Sequence, residues 1–408
     1  MNYKYYAKSN PIETIKEHTD KLLENLEILR RIYGSKIIQA IDMPEDRFWQ
    51  LMEIICEYHD VGKVYSGFQN AIRKNIGEPL LQTKFNNEQI KHEQISPMFV
   101  PYKKYDLTKT ERKLVYQAVY YHHERANTIH IDGELLKEII KDDIEPNTEK
   151  IENELQIKVP KLKTVYLGMV EGQARITEFD DIYKDYCIMK GLLHRLDHCS
   201  SAWIPVEDET SDEILEFVEK FMKKQNFNPN DLQQFAKENQ DQNIMVIGST
   251  GMGKTEAALL WSNHNKTFFT LPLRISINAI YDRIKETIGY NHVGLLHSTA
   301  IDYLDEKNEE NEFEKIDQAR NLYEKITTCT IDQIFPFVFK YRGYEKIYAT
   351  LSYSKVVIDE IQAYSPEIVA VILKGLQMIN NLNGKFMVMT ATLPRIYKEK
   401  LEEMGISF

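Results

Sequence analysis

The segment Gly248-Ser249-Thr250-Gly251-Met252-Gly253-Lys254-Thr255 restricts the fold more than any other part of this chain. It has the pattern G-x-x-x-x-G-K-[ST], whose glycines permit a tight turn with the backbone N–H groups facing a polyphosphate. An apolar run, IMVI, precedes it and a helix-forming run, EAALLW, follows it, as a strand–loop–helix unit requires. Lys254 is then expected on the β- and γ-phosphates and Thr255 on Mg²⁺. Gly248, Ser249, Thr250, Gly251 and Gly253 shape the loop. ATP is the expected nucleotide.

Around this loop the chain alternates short apolar runs with helical ones. IMVIG, KTFFTLP, KITTCT, KVVIDE and KFMVMTAT read as buried strands of a mainly parallel sheet, with helices over 254–262, 275–287, 331–341 and 366–380 between them. This is the pattern of an α/β P-loop domain. VVIDEIQ delivers Asp359 and Glu360 to the carboxyl end of a strand, where ligands bind in such sheets. Alone, such a run is a strand leading into a charged loop. Behind a P-loop, Asp359 is expected in the Mg²⁺ shell and Glu360 is expected to orient the attacking water. FMVMTATLP ends a further strand on Thr390-Ala391-Thr392.

The first two hundred residues have a different texture. Segment 14–32 places Leu22, Leu23, Leu26 and Leu29 at helical spacing, and similar patterns recur around 46–58, 107–121 and 181–197. Stretches near 70–90 and 137–157 read as loops or exposed helix. At 408 residues two domains are expected. The polar stretch 211–240, with Asn226, Asn228, Pro229 and Asn230, puts the boundary near 210: an all-α domain over 1–210 and an α/β domain over 211–408.

The bulk numbers exclude less. A chain 43% hydrophobic and 28% charged, without a long apolar run or a secretory leader, is expected to be a cytoplasmic globular protein with no membrane partner. Its four cysteines have no CxxC spacing, so neither a zinc cluster nor a disulfide framework is indicated. The net charge of −11 does not exclude nucleic acid, because phosphate contacts need only a local basic stripe.

The helical half carries a second set of chemically suggestive residues. His59-Asp60 stands in EYHDVGK, and His18, His92, the doublet His122-His123 and Asp197 lie in the same half. Imidazole and carboxylate suit Zn, Fe, Ni or Mn. Adjacent helical residues point about 100° apart, so a bridging Asp60 could join two metals, with His59 on one of them. Two metals so placed would clamp and activate water for in-line attack on a phosphodiester. Each residue also has a plainer reading. His18 could be a surface histidine, His92 a helix cap, and one of the doublet structural. Asp197 competes with Asp185 for its role and with a salt bridge to Arg195.

Two resemblances follow from these motifs. GSTGMGKT, DEIQ and TAT, in this order, resemble motifs I, II and III of superfamily 2 helicases, with Gln362 at the fourth position of the second. LPLRISINAIYDRI and ITTCTIDQIF resemble strand-binding motifs of the same domain, which brings in Arg274, Thr330 and Asp332. HDVGKVYSGFQ, KHEQIS, YYHHER and HRLDHCSSAW resemble the HD phosphohydrolase superfamily, in the form fused to the helicase of type I CRISPR systems. That resemblance implies metal ligands at His18, His59, Asp60, His92, His122, His123 and Asp197, holding one or two ions of the Fe, Mn, Ni, Co or Zn class. It also puts Lys63 close to the scissile phosphate and makes Asp60, Lys63 and Glu360 the catalytic residues. His194 and His198 are expected not to be ligands. His130, His264, His292 and His297 are read as structural or exposed.

The family implies ATP-driven movement along single-stranded DNA that is fed to a metal nuclease, in partnership with an RNA-guided surveillance complex that chooses the target. A second RecA-like domain is expected to close the ATP site in such helicases, and the sequence stops at Phe408 before one. The chain is then expected to be a fragment, a truncated gene product or one part of a split enzyme whose motor a second chain completes, and alone it is expected to hydrolyse ATP slowly or not at all. Two rival expectations are an HD nucleotide phosphohydrolase with a P-loop sensor domain and a non-catalytic remnant that binds DNA or the effector complex.

Overall fold

Leu22, Leu26 and Leu29 are fully buried along one stripe of a long helix, α1 (Ile15–Ile38), in a computed structural model that describes residues 4–85, 90–123, 132–170, 175–249, 251–307, 311–392 and 394–403. The chain forms two compact units. One comprises the described residues up to Glu27 and those from Ile41 to Ser201; the other comprises Ile28–Ala40 and those from Ala202 onward.

The first unit is built on helices. In α2 (Glu45–Tyr58), Phe48, Leu51, Met52 and Ile55 face the core, and the helix ends where His59 and Asp60 turn into a short 3-10 segment, Val61–Val64. The next helix, α3 (Ser66–Ile76), stops at Gly77, whose left-handed φ of 74° favours glycine. After α4 (His92–Ile95) comes α5 (Lys109–Tyr120), begun by a capping box in which the Thr108 hydroxyl accepts from the Glu111 N–H and Glu111 accepts from the Thr108 N–H. The last helix of this unit is α6 (Tyr183–Ala202). A small antiparallel hairpin of β1 (Tyr6–Ser9) and β2 (Ile12–Thr14) also belongs here. The sequence reading contained no strand in this half.

The second unit is a six-stranded parallel sheet in the order β3-β8-β7-β4-β6-β5, formed by β3 (Ile244–Ile247), β4 (Lys266–Leu271), β5 (Val293–Leu296), β6 (Ile326–Thr330), β7 (Ser354–Asp359) and β8 (Lys385–Thr390). Alternation along each strand sends successive side chains to opposite faces. Phe269, Val357, Met387 and Met389 join one core with Trp261, while Phe268, Val356, Ile358, Phe386 and Val388 join another with Ile372 and Leu376. Burial on both faces is why these strands read as continuous apolar runs. The buried Thr270 and Thr328 hydroxyls donate to the carbonyls of Val357 (2.9 Å) and Gly294 (3.1 Å), so neither is left unsatisfied.

Helices α7 (Asp231–Glu238), α8 (Lys254–Ser262), α9 (Arg274–Asp282) and α10 (Pro366–Asn381) flank the sheet sequence. Segment 331–341, expected as one helix, is instead two short turns, Ile331–Ile334 and Phe335–Phe339, because Pro336 has no N–H to continue the ladder. Among the described residues, no helix is long and apolar enough to cross a membrane. At the amino-terminal rim of the sheet, Lys266 pairs with Glu207 at 2.7 Å, both buried. Glu324 is also buried there, against Gly294, where a Cβ would meet its carboxylate at 2.6 Å.

Candidate metal and nucleotide sites

Six imidazole and carboxylate side chains of the helical unit converge on Asp60. Its Oδ1 lies 3.1 Å from His92 Nε2 and 3.7 Å from His122 Nε2; its Oδ2 lies 3.5 Å from His59 Nε2 and 3.7 Å from His18 Nε2. The ligand atoms fall into two groups that share this one carboxylate. His18, His59 and Asp60 form the first, and Asp60, His92, His122 and His123 the second, each with all its atoms within 4.8 Å of one another. Asp197, on α6, stands beside the first group, its Oδ1 3.0 Å from His18 Nε2 and 3.9 Å from His59 Nε2. Lys63 places its ammonium 2.6 Å from Asp60 Oδ2. All seven residues expected as ligands thus come together.

Local structure sets the ring orientations. A carbonyl only accepts, so the 2.8 Å bond between His59 Nδ1 and the Cys56 carbonyl puts the proton on Nδ1 and leaves the Nε2 lone pair free to ligate. His122 makes the same bond to the Val119 carbonyl. Gly62 makes room for α4. A Cβ there would meet the His92 carbonyl at 2.2 Å, and the Gly62 N–H instead donates to Ser96 Oγ at 2.8 Å. Ser96 in turn donates to the His92 carbonyl at 3.0 Å.

Electrostatics favour a cation at this cluster. Burial pushes His59 down to about 4 and lowers His92 and His123, so three rings are neutral and can donate lone pairs. At His18 burial also opposes the charge, but Asp197 and Glu13 outweigh it and raise the ring to about 9. For Asp60 burial is again overcome, by Lys63 and the histidines, and the carboxyl is held well below its usual range. The Nε2 atoms of His59, His92 and His122 and Oδ1 of Asp60 are buried without a hydrogen-bond partner. Orphaned acceptors aimed at a common point carry a desolvation penalty that a bound metal would remove. The donor set fits a metal pair.

In the α/β unit, β3 leads into the loop where Gly251 (φ 85°) and Gly253 (φ 76°) take left-handed conformations before α8 begins at Lys254. Gly248 donates its N–H to the Thr390 carbonyl at 3.0 Å, and Ser249 is exposed. Thr250 lies outside the described residues. Thr255 falls in the first turn of α8, and Asp359 ends β7. Lys254 Nζ lies 3.1 Å from Glu360 Oε1, and Glu360 itself has φ 55°. Burial raises Asp359 to about 6, with Glu360 adding and Lys254 opposing. Gln362 donates to Glu360 and receives the Thr390 hydroxyl, so side chains link the DEIQ segment to the Thr390-Ala391-Thr392 segment. Arg274 donates to Ser298 (3.2 Å) and Thr299 (3.3 Å); Thr330 ends β6, with Asp332 just beyond. His194 and His198 belong to neither metal group, and Asp185 accepts from the Asp42 N–H instead of joining the cluster.

The phosphate loop opens onto a cavity of about 600 Å³, also lined by Phe227, Asn230, Gln233 and Arg283. The sequence reading took Asn230 as part of a polar linker. In the fold it caps α7, accepting from the Gln233 N–H at 3.0 Å, and it donates to the Met252 carbonyl at 2.9 Å. Gln233 reaches the Gly253 carbonyl at 3.4 Å. The signal was present: Asn230 followed three residues later by Gln233 is a capping box ahead of a helix that spaces Leu232, Phe235 and Ala236 on one side.

A parallel sheet with a phosphate loop after its first strand and an acidic pair at the carboxyl end of β7 is the arrangement of a RecA-like P-loop domain. Residues 230–400 match the family model described as "DEAD/DEAH box helicase". The chain is a relative of the CRISPR-associated helicase–nucleases. Over 309 residues it is 29% identical to the "CRISPR-associated nuclease/helicase Cas3" of Methanothermobacter thermautotrophicus, an alignment covering 69% of this chain and 36% of that protein. The crystal structure of T. fusca Cas3 with ADP superposes with a TM-score of 0.68 at 16% identity, covering 98% of this chain and 52% of that one. A chain in a structure titled "CRISPR RNA-guided surveillance complex, pre-nicking" gives 0.61 at 16% identity, covering 99% and 49%. The chain therefore spans about a third to a half of the length of these relatives.

Proposed function

We propose that the helical unit is an HD-type, metal-dependent nuclease for single-stranded DNA, and that the RecA-like domain is the first part of an ATP-driven helicase that supplies it. The division of labour is taken as 1–210 for the nuclease and 211–408 for the motor domain. The observation that carries this reading is the pair of ligand groups sharing Asp60, with their orphaned imidazole nitrogens. His18, His59 and Asp60, with Asp197 beside them, would hold one metal; Asp60, His92, His122 and His123 would hold the other. Bound there, the metals lower the pKa of a water and polarise the phosphodiester. The protein's own part is to fix the rings, exclude bulk water from the buried cluster, and present the Lys63 ammonium to the phosphate being cut.

In the motor domain the backbone of the glycine loop and Lys254 would bind the ATP phosphates, Thr255 and Asp359 the Mg²⁺, and Glu360 the attacking water. Lys254 and Glu360, 3.1 Å apart, both line that cavity. Degradation of invading DNA in antiviral defence, alongside an RNA-guided surveillance complex, is the cellular role proposed. The relatives' names and the surveillance-complex title support it.

The test is a pair of variants assayed on single-stranded DNA with added Mn²⁺, Co²⁺ or Ni²⁺. Asp60→Ala should lose cutting by at least about 100-fold, consistent with removal of a shared ligand, and should still bind ATP. Lys254→Ala should do the reverse. Release of product from small nucleotides, with single-stranded DNA left intact, would replace the nuclease with a nucleotide phosphohydrolase.

A further inference from the structure

The helical unit contains a second cavity, of about 250 Å³, that the metal cluster does not use. Four cations line it (Lys103, Arg112, Lys161 and Lys163) together with Tyr102, Tyr116 and Tyr166, and no acidic side chain does so among the described residues. None of the four cations forms an ion pair among those residues. Lys103, Lys161 and Lys163 are exposed and Arg112 is half-buried, so in a chain of net charge −11 the rim of this cavity is locally cationic. Arg112 lays its guanidinium 4.0 Å over the Tyr102 ring, and its Nε is buried without a hydrogen-bond partner. The hydroxyls of Tyr116 and Tyr166 are turned to backbone, donating to the Val100 and Gln94 carbonyls.

These features specify a ligand. Unpaired cations at the rim call for an anion, and a planar guanidinium–tyrosine stack calls for a flat aromatic ring. A cavity of this volume admits about one nucleobase. Position then connects the pocket to the metals. Arg112 stands eight residues before the end of α5, about 12 Å at 1.5 Å per residue, and the chain passes from that end directly into His122 and His123. Tyr166 is anchored on Gln94, two residues from His92.

We propose that this pocket is a nucleotide subsite: it holds one base and its phosphate from a single strand whose phosphodiester, a few nucleotides away, lies at the histidine cluster. The inference rests on the nuclease reading and names a contact that sets where the strand lies. The base stacks on Arg112, and Lys161 and Lys163 neutralise phosphates at the exposed rim.

The experiment uses the full chain in EDTA without ATP, so that neither cutting nor the motor contributes. Lys161→Glu/Lys163→Glu changes two exposed, unpaired residues and should leave the melting temperature unmoved. Binding of a labelled single-stranded oligothymidylate should weaken at least fivefold. The slope of log affinity against log salt should fall by about 1.4, at roughly 0.7 per lost phosphate contact. An oligonucleotide carrying 5-iododeoxyuridine should photo-crosslink within 98–116 or 160–169. Affinity within twofold of the parent, or crosslinks confined to other segments, overturns the subsite. Displacement of the strand by thymidine monophosphate at equal concentration would assign the pocket to free nucleotides, and equal displacement by polyglutamate would assign it to acidic peptides; either outcome overturns the proposal. The two readings fail separately. A parent chain that binds through this pocket but never cuts sinks the nuclease, whereas cutting with unimpaired binding by the double variant sinks only the subsite.

Discussion

A carboxylate with one oxygen toward each group of histidines is the smallest unit of this function, and its neighbours are arranged to keep it ionised. The same logic extends one layer out. Glu13 is almost fully buried, its Oε2 3.5 Å from His18 Nδ1, and it is held down to about 2 against its own burial by His18, Lys21 and Lys8. Such a carboxylate fixes the ring and raises its basicity, and losing one usually weakens metal binding 10- to 100-fold. Glu13→Gln should therefore weaken Mn²⁺ binding by about tenfold in calorimetry, with secondary structure unchanged; an unaltered affinity would mean that His18 is oriented without it. A second buried carboxyl belongs to neither site. Burial raises Glu324 from 4.5 to about 7, with Lys266 opposing and Asp208 and Glu207 adding. The folded state then binds an extra proton between these values, so stability falls as pH rises from 4.5 to 7 and changes no further above that. Glu324→Gln removes the burden. Its melting temperature should match the parent's near pH 4.5 and exceed it at pH 8, each kcal/mol appearing as about 2–4 °C. Equal melting curves at pH 8 would contradict this.

Elements position those residues, and Gly62 shows how tightly. The 3-10 turn after Asp60 and helix α4 approach until no Cβ fits between Gly62 and the His92 carbonyl. Gly62→Ala should push α4 outward, carrying His92 away from Asp60. Metal-dependent cutting should fall by about 10- to 100-fold, as for a lost orienting contact, while ATP binding stays intact; full activity would show that α4 yields without moving its histidine. How far this was legible depended on the kind of signal. Five of the six sheet strands announced themselves as apolar runs. Val293–Leu296 did not, because Gly294 interrupts its short apolar run. The strands of the β1–β2 hairpin have four and three residues and sit in polar text. Histidines tens of residues apart could be gathered only through the motifs around them, because periodicity says which face a residue is on and not which distant faces meet. Gln233 was passed over because asparagine and proline nearby spell a loop, and a loop can also be the wall of a nucleotide site.

At the scale of the molecule, the two proposed chemistries are assigned to two compact units. Trp261 is fully buried in the core on one face of the sheet, a core composed of residues of the α/β unit. Lys355 lies 4.5 Å over its ring and donates to its carbonyl, and burial lowers that lysine to about 7, so the ring shields a cation that has little else. Trp261→Ala would remove the largest side chain of this core, at a cost of about 3–5 kcal/mol, a large share of the 5–15 kcal/mol that holds a typical domain together. The Asp60 cluster has no atom in that core. The variant should therefore lose ATP binding and melt earlier in its α/β unit, yet keep metal binding and metal-dependent cutting of single-stranded DNA at 20 °C. If cutting disappears together with ATP binding, the nuclease depends on the folded motor domain. The activity would then belong to the chain as a whole and could not be assigned to its helical unit.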